Sequence, residues 1–496
     1  MGDENTLLTA ADARHLLRRT GFGAPPGEVA KIVGKPRGQV VDALLAFEPT
    51  DYAPTGTDQV TAFGWVDYML RTATPIQEKL VLFWHDHFAT DGTKVSIWSA
   101  MSRQQSLLRR YCKGDFKKLV KAVNVDFAMI VFLDTARNQK QQPNENYARE
   151  MQELFTLGVR DVAGRLNYSQ DDVTQIARAF SGWTTTPKND VVFDPASHDY
   201  MKDYPARGPK VIYKTAGGFG PAGRDFAANG EGAPEVDTVV DIIFDHTDSD
   251  GKKTVARFVA GKLFTYFAQP GIKRRLERTV VPIIDQIIAT SRFDSTWDIK
   301  ALLRALFVHD TFYVTGAPAP FEATTKKSVR WPVDYVVSTL RLLGVRPKGF
   351  YHVIEGGDRR GIDLHLEDMG QVLLRPPSVF GWDWETAWVS SATLLARYKF
   401  ARDVTSVEGS WWWWDGFRPQ DLIDINLTDP SAIVDAVLEA LGVPDQFTPG
   451  AHAGLVNYLT DHGATPSLNL HDDNVRHTKL HGLFALVLQS PEYQLC

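Results

Sequence analysis

Apolar residues return along this chain at three- and four-residue intervals, the spacing that lines one face of an α-helix. The stretch "TAADARHLLRRTGFG" opens on Thr9 as a helix cap and breaks at Gly21 and Gly23. "TPIQEKLVLFWHDHFAT" carries Pro75 near its start, where the missing N–H would have no intrahelical partner, and is apolar almost all round, which predicts a central buried helix. "SQDDVTQIARAFSGW" sets Ser169 and Asp172 in capping-box spacing and stops at Gly182. The same periodicity predicts helices in "VDTVVDIIFDH", "KKTVARFVAGKLFTYFA", "TVVPIIDQIIATS", "WDIKALLRALFVHD", "VRWPVDYVVSTLRLLG", "ETAWVSSATLLARYKFA", "PSAIVDAVLEALG" and "TKLHGLFALVLQS". No comparable set of alternating strands balances them. The expected fold is mainly α: a large multi-helical body with long irregular loops and at most one small β-hairpin, at "WTTTPKNDVVFDP".

Length leaves room for several domains or for one large helical body, since the chain has 496 residues. The pattern divides into an N-terminal helical region at 1–185, a loop-rich insertion at 186–235 and a C-terminal helical region at 236–496, expected to form one continuous unit. Gly- and Pro-rich segments from Pro205 to Pro234 and from Gly344 to Gly381 are long enough to suspect functional loops. No repeat of domain-building period is present.

Composition narrows the functional classes. A net charge of -6 leaves no basic surplus to neutralise phosphates, so a nucleic-acid partner is not expected. The cluster "KRR" at Lys273 to Arg275 is short, is followed by Glu277, and reads as a solvated helix face. Two cysteines, Cys112 and Cys496, make neither a disulfide framework nor a cysteine zinc site. The opening "MGDENTLLTAADARHLL" lacks the apolar run of a signal peptide, and no segment approaches the length of a spanning helix. A cytoplasmic location follows for the chain as it stands, and export if a leader was trimmed from it.

The chemistry concentrates in "PNENYAREMQELFTLG", Pro143 to Gly158. Pro143 suits a first helical turn and Gly158 a stop. Asn146, Arg149, Glu150 and Glu153 fall on one arc of that helix, while Tyr147, Met151, Leu154 and Phe155 fall on the neighbouring, buried arc. One reading is a solvated face with an i,i+4 pair between Glu145 and Arg149. The other is a polar stripe lining a cleft, where Arg149 holds one carboxylate ionised and another keeps its proton.

"WHDHF" raises a metal hypothesis, but His85 and His87 point about 200° apart on a regular helix, so one ion cannot join them as it joins i,i+4 histidines. Satisfied burial, acid/base or substrate-binding roles, and ligation at a distorted helix end all stay open. "SHDYMKD" supplies His198, Asp199 and Asp203 on a loop, the better place for a site. Asp245, Asp248 and Asp250 suggest calcium, but EF-hand spacing is absent and a helix-linking turn is favoured. "AGGFGPAG" lacks the flanks of a dinucleotide or P-loop site, so no nucleotide cofactor is expected. Trp411 to Trp414 cannot all be buried on one face; core packing, a protein partner and a sugar platform are the three readings.

"ARHLLRRTGFG", "FWHDHFAT", "NENYAREMQELFTLGV", "DDVTQIARAFSGW", the "HD" at His198, "KSVRWPVDYVVSTLRLLG" and "MGQVLLRPPSVFGWDWETAWVSSATLLARYKFA" follow one another in the order seen in a bacterial family of unknown function, DUF1800, which this chain resembles from about Ala10 to its closing "SPEY". The resemblance implies a mostly helical protein, often made with an export signal and often encoded beside a sulfatase-like partner. The family's "HDPGPK" run resembles His198, Asp199, Gly208, Pro209 and Lys210, with "YMKDYPAR" inserted between. Ser378 and Phe380 stand where relatives carry an amide and a lysine, and Lys399 where they carry an asparagine.

The residues together lead to an expectation of a hydrolase acting on a glycan or related polymer. Glu150, Glu153, Asp199, His198 and Arg149 are the expected catalytic set, with one glutamate as general acid and another carboxylate as base or nucleophile. Asn144, Asn146, His85, His87, Lys210, Trp183 and Trp382 are the expected substrate contacts. A divalent metal on His85, His87 and His198, serving an oxidoreductase or hydrolase, is the rival reading. A non-catalytic partner or scaffold is the third, with the stripe as a buried network and the tryptophans as interface.

Overall fold

The computed structural model describes residues 4–52, 58–200, 208–226, 232–270, 278–313, 327–347, 352–353, 359–406 and 416–496. Trp411 to Trp414, the Lys273 to Arg275 cluster and Asp203 lie outside them. The described chain is mainly α-helical, and its helices begin where side chains can satisfy the free N–H groups of a first turn. Thr9 accepts from the N–H of Asp12 to open Ala10–Thr20, and Ser169 with Asp172 forms the expected capping box on Gln170–Ala179.

The Pro75–His87 helix is buried along its length, every residue from Ile76 to His87 included. A helix buried on all sides must find partners for its polar residues. Arg109 grips Glu78 with two bonds, at 3.1 and 2.7 Å, and Trp65 donates to the same carboxylate at 2.7 Å. Lys79 pairs with Asp334 on the Pro332–Leu343 helix at 3.0 Å. Asp86 accepts the Trp382 N–H at 2.8 Å and the Trp384 indole at 3.0 Å, docking the 381–384 loop.

One large hydrophobic cluster spans residues from Leu8 to Tyr493 and includes this helix, with a small second cluster at Ala13, Ala24 and Val29. Distant parts of the chain close on each other: Arg18 reaches Asp445 at 2.9 Å, Arg304 reaches Asp42 at 2.6 Å, and Ser328 and Cys496 exchange backbone bonds. Cys112 and Cys496 are buried free thiols. The expected hairpin forms, pairing Trp183–Thr185 with Val191–Phe193 antiparallel, with Asn189 at φ 62° in its turn. Two further two-residue ladders, Val211–Ile212 with Arg224–Asp225 and His352–Val353 with Arg359–Arg360, exceed the single hairpin expected. Among the described residues no helix is long and apolar enough to cross a membrane.

Candidate active site

The Pro143 segment departs from the regular helix its periodicity implies. The α-helix begins at Asn146, three residues after Pro143, because the Asn144 side chain accepts the Asn146 N–H at 2.9 Å and holds the chain in a turn there. It runs only to Glu150 before widening into a π-helix at Met151–Thr156. The wide turn is visible in the Leu157 N–H, which reaches back five residues to the Gln152 carbonyl at 2.9 Å. The Thr156 hydroxyl donates to Met151 O across the same interval. Gly158 ends the helix at φ 75°, where a Cβ would come within 3.1 Å of the Phe258 ring.

This ending leaves carbonyls without intrahelical partners, and side chains from elsewhere supply donors. Asn167 donates to Leu157 O and Gly158 O at 3.0 and 3.1 Å. Lys262 donates to Leu154 O at 3.3 Å and to Nδ1 of His87 at 2.9 Å. Since lysine only donates, His87 carries its proton on Nε2, which bonds Phe155 O at 3.0 Å.

The stripe divides. Asn146 is exposed. Arg149 bonds Glu145 at 3.2 Å and Gln170 at 2.9 Å, so its guanidinium is directed to the i,i+4 partner and not, as the cleft reading has it, to a glutamate of the stripe. Glu150 is half-buried, and its Oε2 has no hydrogen-bond partner among the described residues. Burial, reinforced by the negative charge of Glu153 three residues on and only partly offset by Arg149, pushes the Glu150 carboxyl up to about 7. Glu153 accepts from the Tyr168 hydroxyl at 2.9 Å, and burial together with that carboxylate drives the Tyr168 phenol above its ordinary range.

Glu153 lines an open cavity of about 450 Å³. Leu154, Val159, Phe258 and Lys262 share its wall, with the Lys262 ammonium 5.0 Å from the centre of the Phe258 ring. Tyr168, Phe258 and Lys262 were missed by sequence reasoning. The available signal was the i,i+4 spacing of Phe258 and Lys262 on the Thr254–Phe267 helix, where they lie half-buried, as do Thr265 and Tyr266, on a mostly buried element.

His198, Asp199 and Lys210 do not close this cavity; all three are fully buried in an ion network of their own. Lys210 bonds both oxygens of Glu235, at 3.0 and 2.7 Å, and lies 3.3 Å from Nε2 of His198. Nδ1 of His198 bonds Ser181 O at 2.7 Å, and Arg178 bonds Asp199 at 3.0 Å. The loop is drawn inward because Glu235 and Arg178 supply counter-charges that local sequence does not reveal.

Nor do the three histidines converge. The His85 ring is buried in T-shaped contact with Trp65 and Trp382, themselves buried. Neither ring nitrogen finds a hydrogen-bond partner among the described residues, so the burial is not the satisfied one expected, and it pulls the pKa down to about 3. His87 and His198 bond the groups just named, and among the described residues no three His, Cys, Asp or Glu side chains gather as a metal site. Asp248 and Asp250 lie in the turn between the Glu235–Asp245 and Thr254–Phe267 helices, as favoured over calcium, and flank the guanidinium of Arg257, which also holds Asp285. Trp183 packs against Phe193 in the hairpin.

No curated protein and no solved structure matches the chain. A family described as "protein of unknown function (DUF1800)" matches residues 15–495, nearly the whole length, and the chain belongs to that family.

Proposed function

We propose that the protein is a hydrolase acting on a glycan or related polymer, with Glu150 as general acid and Glu153 as the paired carboxylate. The observation that carries this reading is the half-buried Glu150 carboxyl, held protonated near neutrality three residues from a second carboxylate that opens onto a cavity. Two carboxyl groups whose surroundings differ are the arrangement glycoside cleavage requires: one proton donor for the leaving oxygen, one base or nucleophile. Tyr168 orients Glu153 through its hydroxyl. Phe258 offers an aromatic face to a sugar ring, and Lys262 a cation beside it. A sulfatase-like partner, implied by the family resemblance, would act on the same polymer.

The test is release of reducing ends from a panel of neutral and acidic polysaccharides by the full chain, by Glu150→Gln and by Glu153→Gln. Turnover falling by about a hundredfold or more in both variants, with circular dichroism and melting unchanged or improved, supports the assignment. Equal turnover in Glu150→Gln rejects it.

A further inference from the structure

A second cavity, of about 570 Å³, adjoins the first: Asp161 and Asp248 belong to the walls of both. The divider is the 159–166 loop, in which Asp161 accepts from the Arg165 N–H at 2.7 Å and is fastened to Ser249 at 2.8 Å. The far wall is the glycine-rich run "TAGGFG", Thr215 to Gly220, which leaves the Val211–Ile212 strand with no helix following it.

Two of these glycines are required by contact. A Cβ on Gly217 would meet His246 at 2.6 Å, and one on Gly218 would meet Thr247 Oγ1 at 2.3 Å. The main chain therefore lies flush on the 246–247 segment and presents bare backbone to the cavity. Gly217 O is occupied by the Thr247 N–H at 3.1 Å and Gly220 O by the Gly223 N–H at 3.0 Å, whereas no N–H from Thr215 to Gly220 donates to an acceptor among the described residues. Two carbonyls of the run, Gly217 O and Gly220 O, are taken up by protein donors, while its six amides are left over as donors of the kind that backbone anion nests use.

The exposed charged side chains of the cavity are cationic. Arg165 and Lys214 are exposed on the rim; Lys214 has only a loose 3.8 Å approach to Asp171, and Arg165 no ion pair among the described residues. The two carboxylates of the wall have counter-groups: Asp161 is bonded by Ser249, and one oxygen of Asp248 by Arg257 at 2.8 Å, the other Asp248 oxygen having no hydrogen-bond partner among the described residues.

We infer that the glycine-loop cavity is a subsite for an oxyanion, a carboxylate or sulfate ester, carried by the polymer whose scissile bond lies at Glu150 and Glu153. This rests on the hydrolase reading for the identity of the polymer but not for the binding of the anion. The preferred substrate is then an acidic glycan.

Calorimetric titration of the full chain tests it, with sodium sulfate and with oligosaccharides of one backbone that are neutral, uronate-bearing or sulfate-bearing. Arg165→Glu and Lys214→Glu change exposed side chains. Expected are binding of sulfate and of an acidic oligosaccharide, weaker in high salt, about tenfold weaker in either charge-reversal variant, and retained in Glu150→Gln. The tighter of the two acidic ligands identifies the anion. No sulfate binding, equal affinity for the neutral oligosaccharide, or affinity unchanged by both reversals overturns the subsite. Because Glu150→Gln is scored for binding here and for turnover above, failure of the subsite and failure of the hydrolase reading are distinguishable.

Discussion

Lys262 donates to Nδ1 of His87 at 2.9 Å, and His87 passes the connection on by donating Nε2–H to the Phe155 carbonyl at 3.0 Å. The pair closes the carbonyl end of the helix that carries Glu150 and Glu153, so it positions the carboxylates without touching them. His87→Phe keeps a ring in the buried space and leaves Phe155 O without its donor. The expected cost is about 1–3 kcal/mol, read as a lower urea midpoint. An unchanged midpoint would show that the carbonyl finds water instead.

The Glu78–Arg109 pair, fully buried on both sides, makes a stronger prediction. Glu78→Gln leaves a guanidinium with no counter-charge in the core and should destabilise by about 3–5 kcal/mol. Equilibrium unfolding measures it. A loss below about 1 kcal/mol would mean that water reaches Arg109.

Lys210 and Glu235 should behave as a coupled unit. Lys210→Met alone strands a buried carboxylate, and Glu235→Leu alone strands a buried ammonium. The double variant is expected to be more stable than either single one, because replacing both charges avoids the desolvation cost that each single change exposes. Simple additivity of the two losses would contradict the pairing.

How much of this could be read beforehand depends on range along the chain. Thr9, Pro75 and the Ser169–Asp172 box announce their helices because a cap and its target lie within one turn. The Glu145–Arg149 pair is legible for the same reason. The π-turn at Met151–Thr156 is not, since a regular periodicity assumes i,i+4 bonding, and the widened turn is held by side chains more than sixty positions away. Asn144 displaces the expected helix start by claiming the Asn146 N–H. The burial of His198, Asp199 and Lys210, read as loop and substrate-contact residues, is not legible because Glu235 and Arg178, which draw them inward, stand 37, 21 and 25 residues from the groups they bond.

Stability should carry the signature of Glu150. Its carboxyl is raised from an ordinary 4.5 to about 7, so the folded state holds a proton that the unfolded chain releases. The group therefore contributes no penalty below pH 4.5, and stability is lost as pH rises from there through about 7. With the side chain partly open to solvent, the effect is about 1 kcal/mol. Glu150→Gln should remove it, being nearly as stable as the parent at pH 4 and more stable at pH 8. A parent and variant that keep a constant difference across that range would contradict it.

The central claim is that Glu150 is a carboxylic acid near neutrality because burial, reinforced by Glu153, holds it so. It is tested most directly by carbon NMR titration of glutamate side-chain carboxyls in the ¹³C-labelled chain. The account predicts one resonance titrating at about 7, missing in Glu150→Gln and moved toward the ordinary range in Glu153→Gln. A Glu150 resonance that titrates near 4.5 with Glu153 in place would contradict it.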